Sequence, residues 1–321
     1  PFFITVIITI ALIWLYTHRS GMKTIIWTDT LQTTFMLASV IIIAYILIDR
    51  MGFDFSSAYN LIKDSDYSKV FFFEDWTDKK YFFKQFFSGV FMAIVMTGLD
   101  QDQMQKNLSC RNLKDAQKNM TVFSIIIIFV DLLFLSFGAI LFIYSESVGF
   151  NIPSKTDLLF PYIVFNSGMP IYVGLLFIIG IIAAAYSTAD SALTSLTTSF
   201  CIDIIEIDKQ EPEKQVKTRK KVHVLFSFIL LVVILLFDAL NNESVINSLF
   251  TVAGYTYGPL LGMFSFGLFT KHKVKDKFVP FVAIASPVIC YILGLYIPFG
   301  FELLILNGFI TFIGLLLLRV K

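Results

Sequence analysis

Apolar residues in this chain come in long runs separated by short polar stretches, and the runs recur from one end to the other. A run of about 18 residues or more is what crossing a hydrocarbon core roughly 30 Å thick requires. The pattern predicts nine membrane segments: Phe2–Tyr16, Thr24–Ile48, Phe82–Leu99, Thr121–Tyr144, Ile171–Phe200, Val222–Leu240, Ile246–Thr270, Phe278–Ile297 and Leu303–Leu318. The fifth is the longest and the most polar. The fold class that follows is all-α and polytopic, a single membrane domain over residues 1–321 with no soluble domain. Two polar stretches also read as helical. FSSAYNLI in the long segment Asp49–Tyr81 predicts a short surface helix. Gln101–Met120, with Leu108, Cys110, Leu113 and Ala116 on one side, either lies along the membrane surface or is a solvated loop helix.

Composition agrees with a membrane solvent. Hydrophobic residues make up 56% of the chain and charged residues 15%, with 36 Phe among 321 positions. A soluble domain carries about a quarter charged residues. The net charge of +1 says nothing about nucleic acid, because Lys and Arg are spread over loops and form no stripe; the lipid bilayer is the expected partner, and no nucleic acid is expected. Cys110, Cys201 and Cys290 lie far apart, without metal or redox spacing, and read as small apolar helix residues.

Loop charge sets the orientation, because short cytoplasmic loops collect Lys and Arg. Alternate connections are basic: Arg19 and Lys23; Lys106, Arg111, Lys114 and Lys118; Lys209 to Lys221; Lys271 to Lys277; and Arg319 with Lys321. This predicts a cytoplasmic C-terminus, an outside N-terminus and a cell-membrane location. The chain opens at Pro1 directly on an apolar run. An exported N-terminus with nothing to export it is expected to have further sequence upstream.

Ionisable groups at membrane depth are costly, so they face protein or water and mark candidate function. The fifth segment reads IIAAAYSTADSALTSLTTSFCIDII, and Ala184, Ser187, Thr188 and Ser191 are expected to line one side with Asp190 at its edge. Hydroxyls bonding back to helix carbonyls would make this a packing seam. Asp190 changes that balance, since no Lys or Arg lies within any predicted segment to pair with it. A bound ion of low charge fits, because hard cations take several oxygen ligands. Asp29 in TIIWTDTLQTTF sits about 9 Å along the helix from Lys23 at 1.5 Å per residue. It is read equally as an ion ligand or as a partner of the helix dipole. Asp131 is expected to be buried, and Asp238 to reach water. Pro259 in VAGYTYGPLLGMFSFGLF either kinks the helix structurally or opens it to expose carbonyls.

Four strings in order resemble the sodium:solute symporter family. GMKTIIWTDTLQ (Gly21–Gln32) is similar to the family's GG-x-K-A-V-x-W-T-D-x-x-Q signature. TGLDQDQMQKNLSCRNLKDAQKNM (Thr97–Met120), AAAYSTADSALTSLTTSFCIDI (Ala183–Ile204) and TYGPLLGMFSFGLFTK (Thr256–Lys271) follow. The resemblance implies the leucine-transporter fold of two inverted repeats, begun here at the fourth core helix. It implies sodium as the coupling ion. One site would use the carbonyl of Ala184 and the hydroxyls of Ser187 and Thr188. A second, nearer the cytoplasm, would use Asp29, Ser187, Asp190 and Ser191. Met96 stands where sugar-carrying members place a stacking Tyr, which argues against a sugar.

Two readings follow. One is sodium-driven symport of a small organic solute or anion by alternating access, with the solute and Na+ as partners. The other is a transporter-like membrane sensor, in which a signalling module would follow the last helix, although the chain stops at Lys321. No HExxH or GxSxG occurs, and no enzymatic activity is expected. Substrate, sodium stoichiometry and oligomeric state are left open.

Overall fold

The computed structural model describes residues 2–17, 22–240 and 244–320, which bear helices and loops with one isolated bridge, Val274 to Arg319. The helices are α1 Phe2–Thr17, α2 Met22–Arg50, α3 Phe55–Lys63, α4 Phe82–Gly98, α5 Gln101–Leu108 and α6 Leu113–Ser147. They continue with α7 Leu159–Asn166, α8 Ile171–Ser199, α9 Pro212–Leu240, α10 Val245–Phe269, α11 Val279–Gly294 and α12 Leu303–Leu317. Each of the nine predicted segments lies on one of these. Among the described residues five helices are long and apolar enough to cross a membrane, six if the bent pair α4–α5 is one span. α1 and α12 are apolar but shorter.

Local chemistry explains several boundaries. Asp54 accepts a hydrogen bond from the Ser57 amide at 2.9 Å and starts α3, the short outer helix predicted from FSSAYNLI. Hydrogen bonding from the Ser57 side chain, and then from its amide, holds the Asp54 carboxyl below its ordinary range. The stretch Gln101–Met120 is two elements rather than one. Asn112 caps α6 through the Asp115 amide at 2.9 Å, and α6 then runs 35 residues. α8 ends in a π-helical turn, Phe200–Ile204, followed by Glu206 in the left-handed region at φ 50°.

The chain forms two compact units. The first holds Pro1–Ser68 and Gln105–Asn242. Its core joins Val40, Ile43 and Leu47 of α2 to Phe137, Ile140 and Leu141 of α6, with Ile163 of α7 and Phe177 of α8. Phe160 meets Phe137 at 4.9 Å and Phe177 at 4.7 Å, both edge to face. Each contact contributes about 0.5–1.5 kcal/mol beyond area burial, which counts inside a membrane where lipid tails are as apolar as the core. Arg50 closes the end of α2 by donating to the carbonyls of Ser167 (2.6 Å) and Gly168 (2.7 Å). Gly168 turns the chain from α7 into α8 at φ 65°, a conformation that favours glycine. Along α6, Ile125, Ile126, Phe129 and Leu135 are exposed, an apolar surface suited to lipid or to further helices. Asp131 lies exposed on the same helix, contrary to the buried position expected. Asp238 is exposed near the end of α9, as expected.

The second unit holds Lys69–Met104 and Glu243–Lys321. α4 breaks after Gly98. Asp100 then accepts from the amides of Asp102 (3.0 Å) and Gln103 (3.1 Å) to start α5, and the two helices are bent by 57°. Met92 and Val95 of α4 pack on Ala253 and Leu261 of α10 and Leu304 of α12, with Met96 against the same cluster.

α10 and α12 approach closely through glycine. A Cβ at Gly258 would stand 2.4 Å from Asn307 Nδ2, and one at Gly262 would stand 2.4 Å from the Gly308 carbonyl. Small residues at such seams let helix backbones meet. α10 is continuous through Pro259, so the broken-helix alternative does not hold. Proline has no amide hydrogen, and the carbonyl four residues back, that of Tyr255, loses its helical donor. Asn307 supplies the replacement: its Nδ2 donates to Tyr255 O and to Gly254 O, both at 3.0 Å.

Candidate functional site

The polar face of α8 meets α2 inside the first unit. Ser39 of α2 donates to the Leu176 carbonyl at 3.1 Å, and a Cβ at Gly180 would lie 3.4 Å from Ser39 Oγ. This close approach brings the lower part of α8 against Asp29. Ser187 Oγ donates to Asp29 Oδ1, joining the two helices side chain to side chain. One helical turn on, Asp190 is 1% exposed, and Thr194 donates to its Oδ1 at 3.4 Å.

The buried face of α8 runs through Ser187, Asp190, Ser191 and Thr194, the 3–4 spacing of one helix stripe. The expected face was rotated from this. Thr188 is exposed, Ala184 is half-buried, and Asp190 lies on the stripe rather than at its edge. The seam reading holds for part of the segment only. Ser195 Oγ bonds back to the Ser191 carbonyl at 2.9 Å and Thr198 Oγ1 to the Thr194 carbonyl at 2.8 Å. Ser187 instead points at a carboxylate.

Asp29 is thereby tied to α8 as well as to its own helix. A second partner was not foreseen. Lys106 of α5 places Nζ 2.9 Å from Asp29 Oδ2, with both side chains about a quarter exposed. Its neighbour Gln105 donates to the Ser195 carbonyl at 3.2 Å. α5 is therefore docked onto α2 and α8 by two polar contacts. Lys23 belongs to the residues whose side chains are not described, so its distance from Asp29 is outside the described structure.

A cavity of about 560 Å³ opens beside the site between α1, α2 and α8, and both Ser187 and Asp190 line it. Its other walls are mainly apolar, with Leu12, Phe35, Ala183 and Tyr186 among them. The site therefore gathers two carboxylates, two or three hydroxyls and an adjoining space. That is an oxygen-rich donor set, the kind hard cations take. Among the described residues no group of His, Cys, Asp and Glu suits a transition metal. His223 is buried and meets Thr197 Oγ1 through Nδ1 at 3.2 Å. Cys201 and Cys290 are buried free thiols in helical surroundings.

The model of the sodium:solute symporter family matches residues 1–276. The chain belongs to that family. Among curated proteins it is similar to the sodium/sialic acid symporter SiaT of Proteus mirabilis (strain HI4320), with 24% identity over 84% of this chain and 55% of that protein. It is also similar to the sodium/sialic acid symporter NanT of Aliivibrio fischeri (strain ATCC 700601 / ES114), at 26% over 80% of this chain and 52% of the other. The sodium-dependent multivitamin transporter of Oryctolagus cuniculus shares 27% over 79% of this chain and 41% of its own length. The chain thus spans about half the length of the curated relatives it matches. These relatives are transporters, not enzymes. A solved structure of a Na+-coupled sialic acid symporter, substrate-bound and outward-open, superposes with a TM-score of 0.78 at 20% identity. The match covers 98% of this chain and 66% of that one. The likeness carries the fold: an all-α, polytopic membrane architecture of the leucine-transporter type.

Proposed function

We propose that this sodium:solute symporter family chain works in secondary active transport. Sodium moving down its gradient drives a small organic solute or anion across the cell membrane, with the C-terminus in the cytoplasm. One positive charge moving inward through 100 mV supplies about 2.3 kcal/mol before any concentration gradient. Sodium is held by Asp29, Ser187, Asp190 and Ser191, with the Ala184 carbonyl and Thr188 completing a second set on the exposed side of α8. The observation that carries this reading is the meeting of Ser187 with Asp29 one turn from the buried Asp190. Oxygen ligands from two helices give the ion a means to favour one conformation over another, which coupling requires.

The test is uptake of labelled solutes by the full-length protein in liposomes, with and without an inward sodium gradient. Ser187→Ala is expected to weaken the apparent sodium affinity about tenfold or more, the effect of losing one charge-linked oxygen contact. Unchanged sodium affinity in that variant overturns the assignment of the site.

A further inference from the structure

Asp29 makes two contacts that bear on the same ion. Its Oδ1 accepts from Ser187, and its Oδ2 holds the Lys106 ammonium at 2.9 Å. An ammonium and a sodium ion make the same demand on a carboxylate, one unit of positive charge at close range. They differ in what else they accept. Lys106 brings donors only, whereas sodium needs lone pairs, and the Ser187 hydroxyl that now donates to Asp29 would have to turn its oxygen toward the ion. Two cations on one carboxylate repel each other, so the ion and the ammonium compete for Asp29.

The lysine also sits on a short helix. α5 is eight residues long, too short to be stable alone in water. Lys106 ties it to Asp29 of α2, and Gln105 ties it to the Ser195 carbonyl of α8.

We infer that Lys106 is a tethered rival of sodium: its ammonium holds Asp29 when the ion is absent and gives way when the ion binds, releasing α5 from α2. The inference rests on the sodium site proposed at Asp29, Ser187 and Asp190. Lys106 is on this account a positioning residue that sets the ion affinity and links it to the docking of α5. It is not itself a ligand.

The experiment uses the full-length protein purified in detergent, with radioactive sodium binding and melting temperature measured in sodium and in potassium buffer. Lys106→Met keeps the stem and removes the charge. A pair about a quarter exposed lies between the weak surface case and the strong buried one, and the variant is expected to bind sodium roughly tenfold tighter. It should also melt below the parent protein in potassium and level with it in saturating sodium, because sodium replaces the missing cation. Equal or weaker sodium binding, or the same loss of melting temperature in both buffers, overturns the inference and leaves Lys106 a strut. Lys106→Arg covers the case in which Lys106→Met fails to fold. A guanidinium grips a carboxylate by two donors at once, so sodium affinity should fall several-fold, and unchanged affinity overturns the inference equally. Asp29→Asn and Ser187→Ala separate the two levels: if neither alters sodium binding, the site itself is wrong, whatever Lys106 does.

Discussion

Removing the Asn307 amide should cost stability in a way that depends on Pro259. Nδ2 donates to Gly254 O and Tyr255 O, each at 3.0 Å, and Asn307 is fully buried. Gly254 O retains a helical donor in the Gly258 amide, so losing the side-chain bond there removes only a supplement. Tyr255 O has no such donor, because residue 259 is proline. Asn307→Leu strands that carbonyl, at about 1–3 kcal/mol for an unsatisfied buried acceptor. One opposing effect has to be weighed. Asn307 Oδ1 is itself buried without a hydrogen-bond partner among the described residues, and the leucine removes that burden too. The single variant therefore has a small and ambiguous net effect, of the size measured for bonds between membrane helices, about 0.6 kcal/mol on average. A double-mutant cycle removes the ambiguity. Pro259→Ala restores an amide for Tyr255 O, while the Oδ1 relief is the same in both backgrounds and cancels. A coupling of about 1–2 kcal/mol is expected, with Asn307→Leu costing more when Pro259 is present. Unfolding in denaturant can be followed through the thiol of Cys290, which is fully buried on α11, in a Cys110→Ser, Cys201→Ser background. A coupling near zero would refute the assignment of Asn307 as the substitute donor.

Gly262→Val should be worse tolerated than Gly267→Val. The added carbon at Gly262 meets the Gly308 carbonyl at 2.4 Å and Thr311 Cβ at 2.6 Å, while nothing lies within 4 Å at Gly267. Overpacking of this kind costs about 1–3 kcal/mol, and the same Cys290 assay reads it. Tyr67 donates to Glu146 Oε1 at 2.8 Å, and this bond raises its phenol above the ordinary 10.0. A folded-state value above the unfolded one means the stabilisation is complete below pH 10.0 and fades as pH climbs through the raised value. Phenolate absorbance should show Tyr67 ionising above the ordinary value, and Glu146→Gln should remove that shift.

The helical segments were readable because long apolar runs declare themselves without tertiary context, and the short helix α3 because Asp54 and its turn carry a local capping signal. The break between α5 and α6 was locally encoded as well, in Asn112 and Asp115, but the apolar side of Gln101–Met120 suggested one continuous helix. Spacing alone does not say which stripe of α8 a neighbour covers: the buried stripe runs through Ser187, Asp190, Ser191 and Thr194, and Thr188 faces outward. Lys106 was out of reach in principle. It is 77 residues from Asp29, on a short helix outside every apolar run. Asn307 stood as one polar residue in an apolar run, with its reason located 52 residues away at Tyr255.

The glycine seam of the second unit has a mechanical consequence. With Gly258 filled by Asn307, and Gly262 by Gly308 and Thr311, α12 has no room to slide along α10. Helices in a bilayer thicker or thinner than their apolar length adjust by tilting, kinking or slipping past a neighbour. Slip is closed to this pair, and the Asn307 amide braces the one position where α10 would otherwise bend. Adaptation to lipid thickness therefore falls to α10 and α12 leaning together as one body, so a change of acyl-chain length should alter the tilt of both by the same angle.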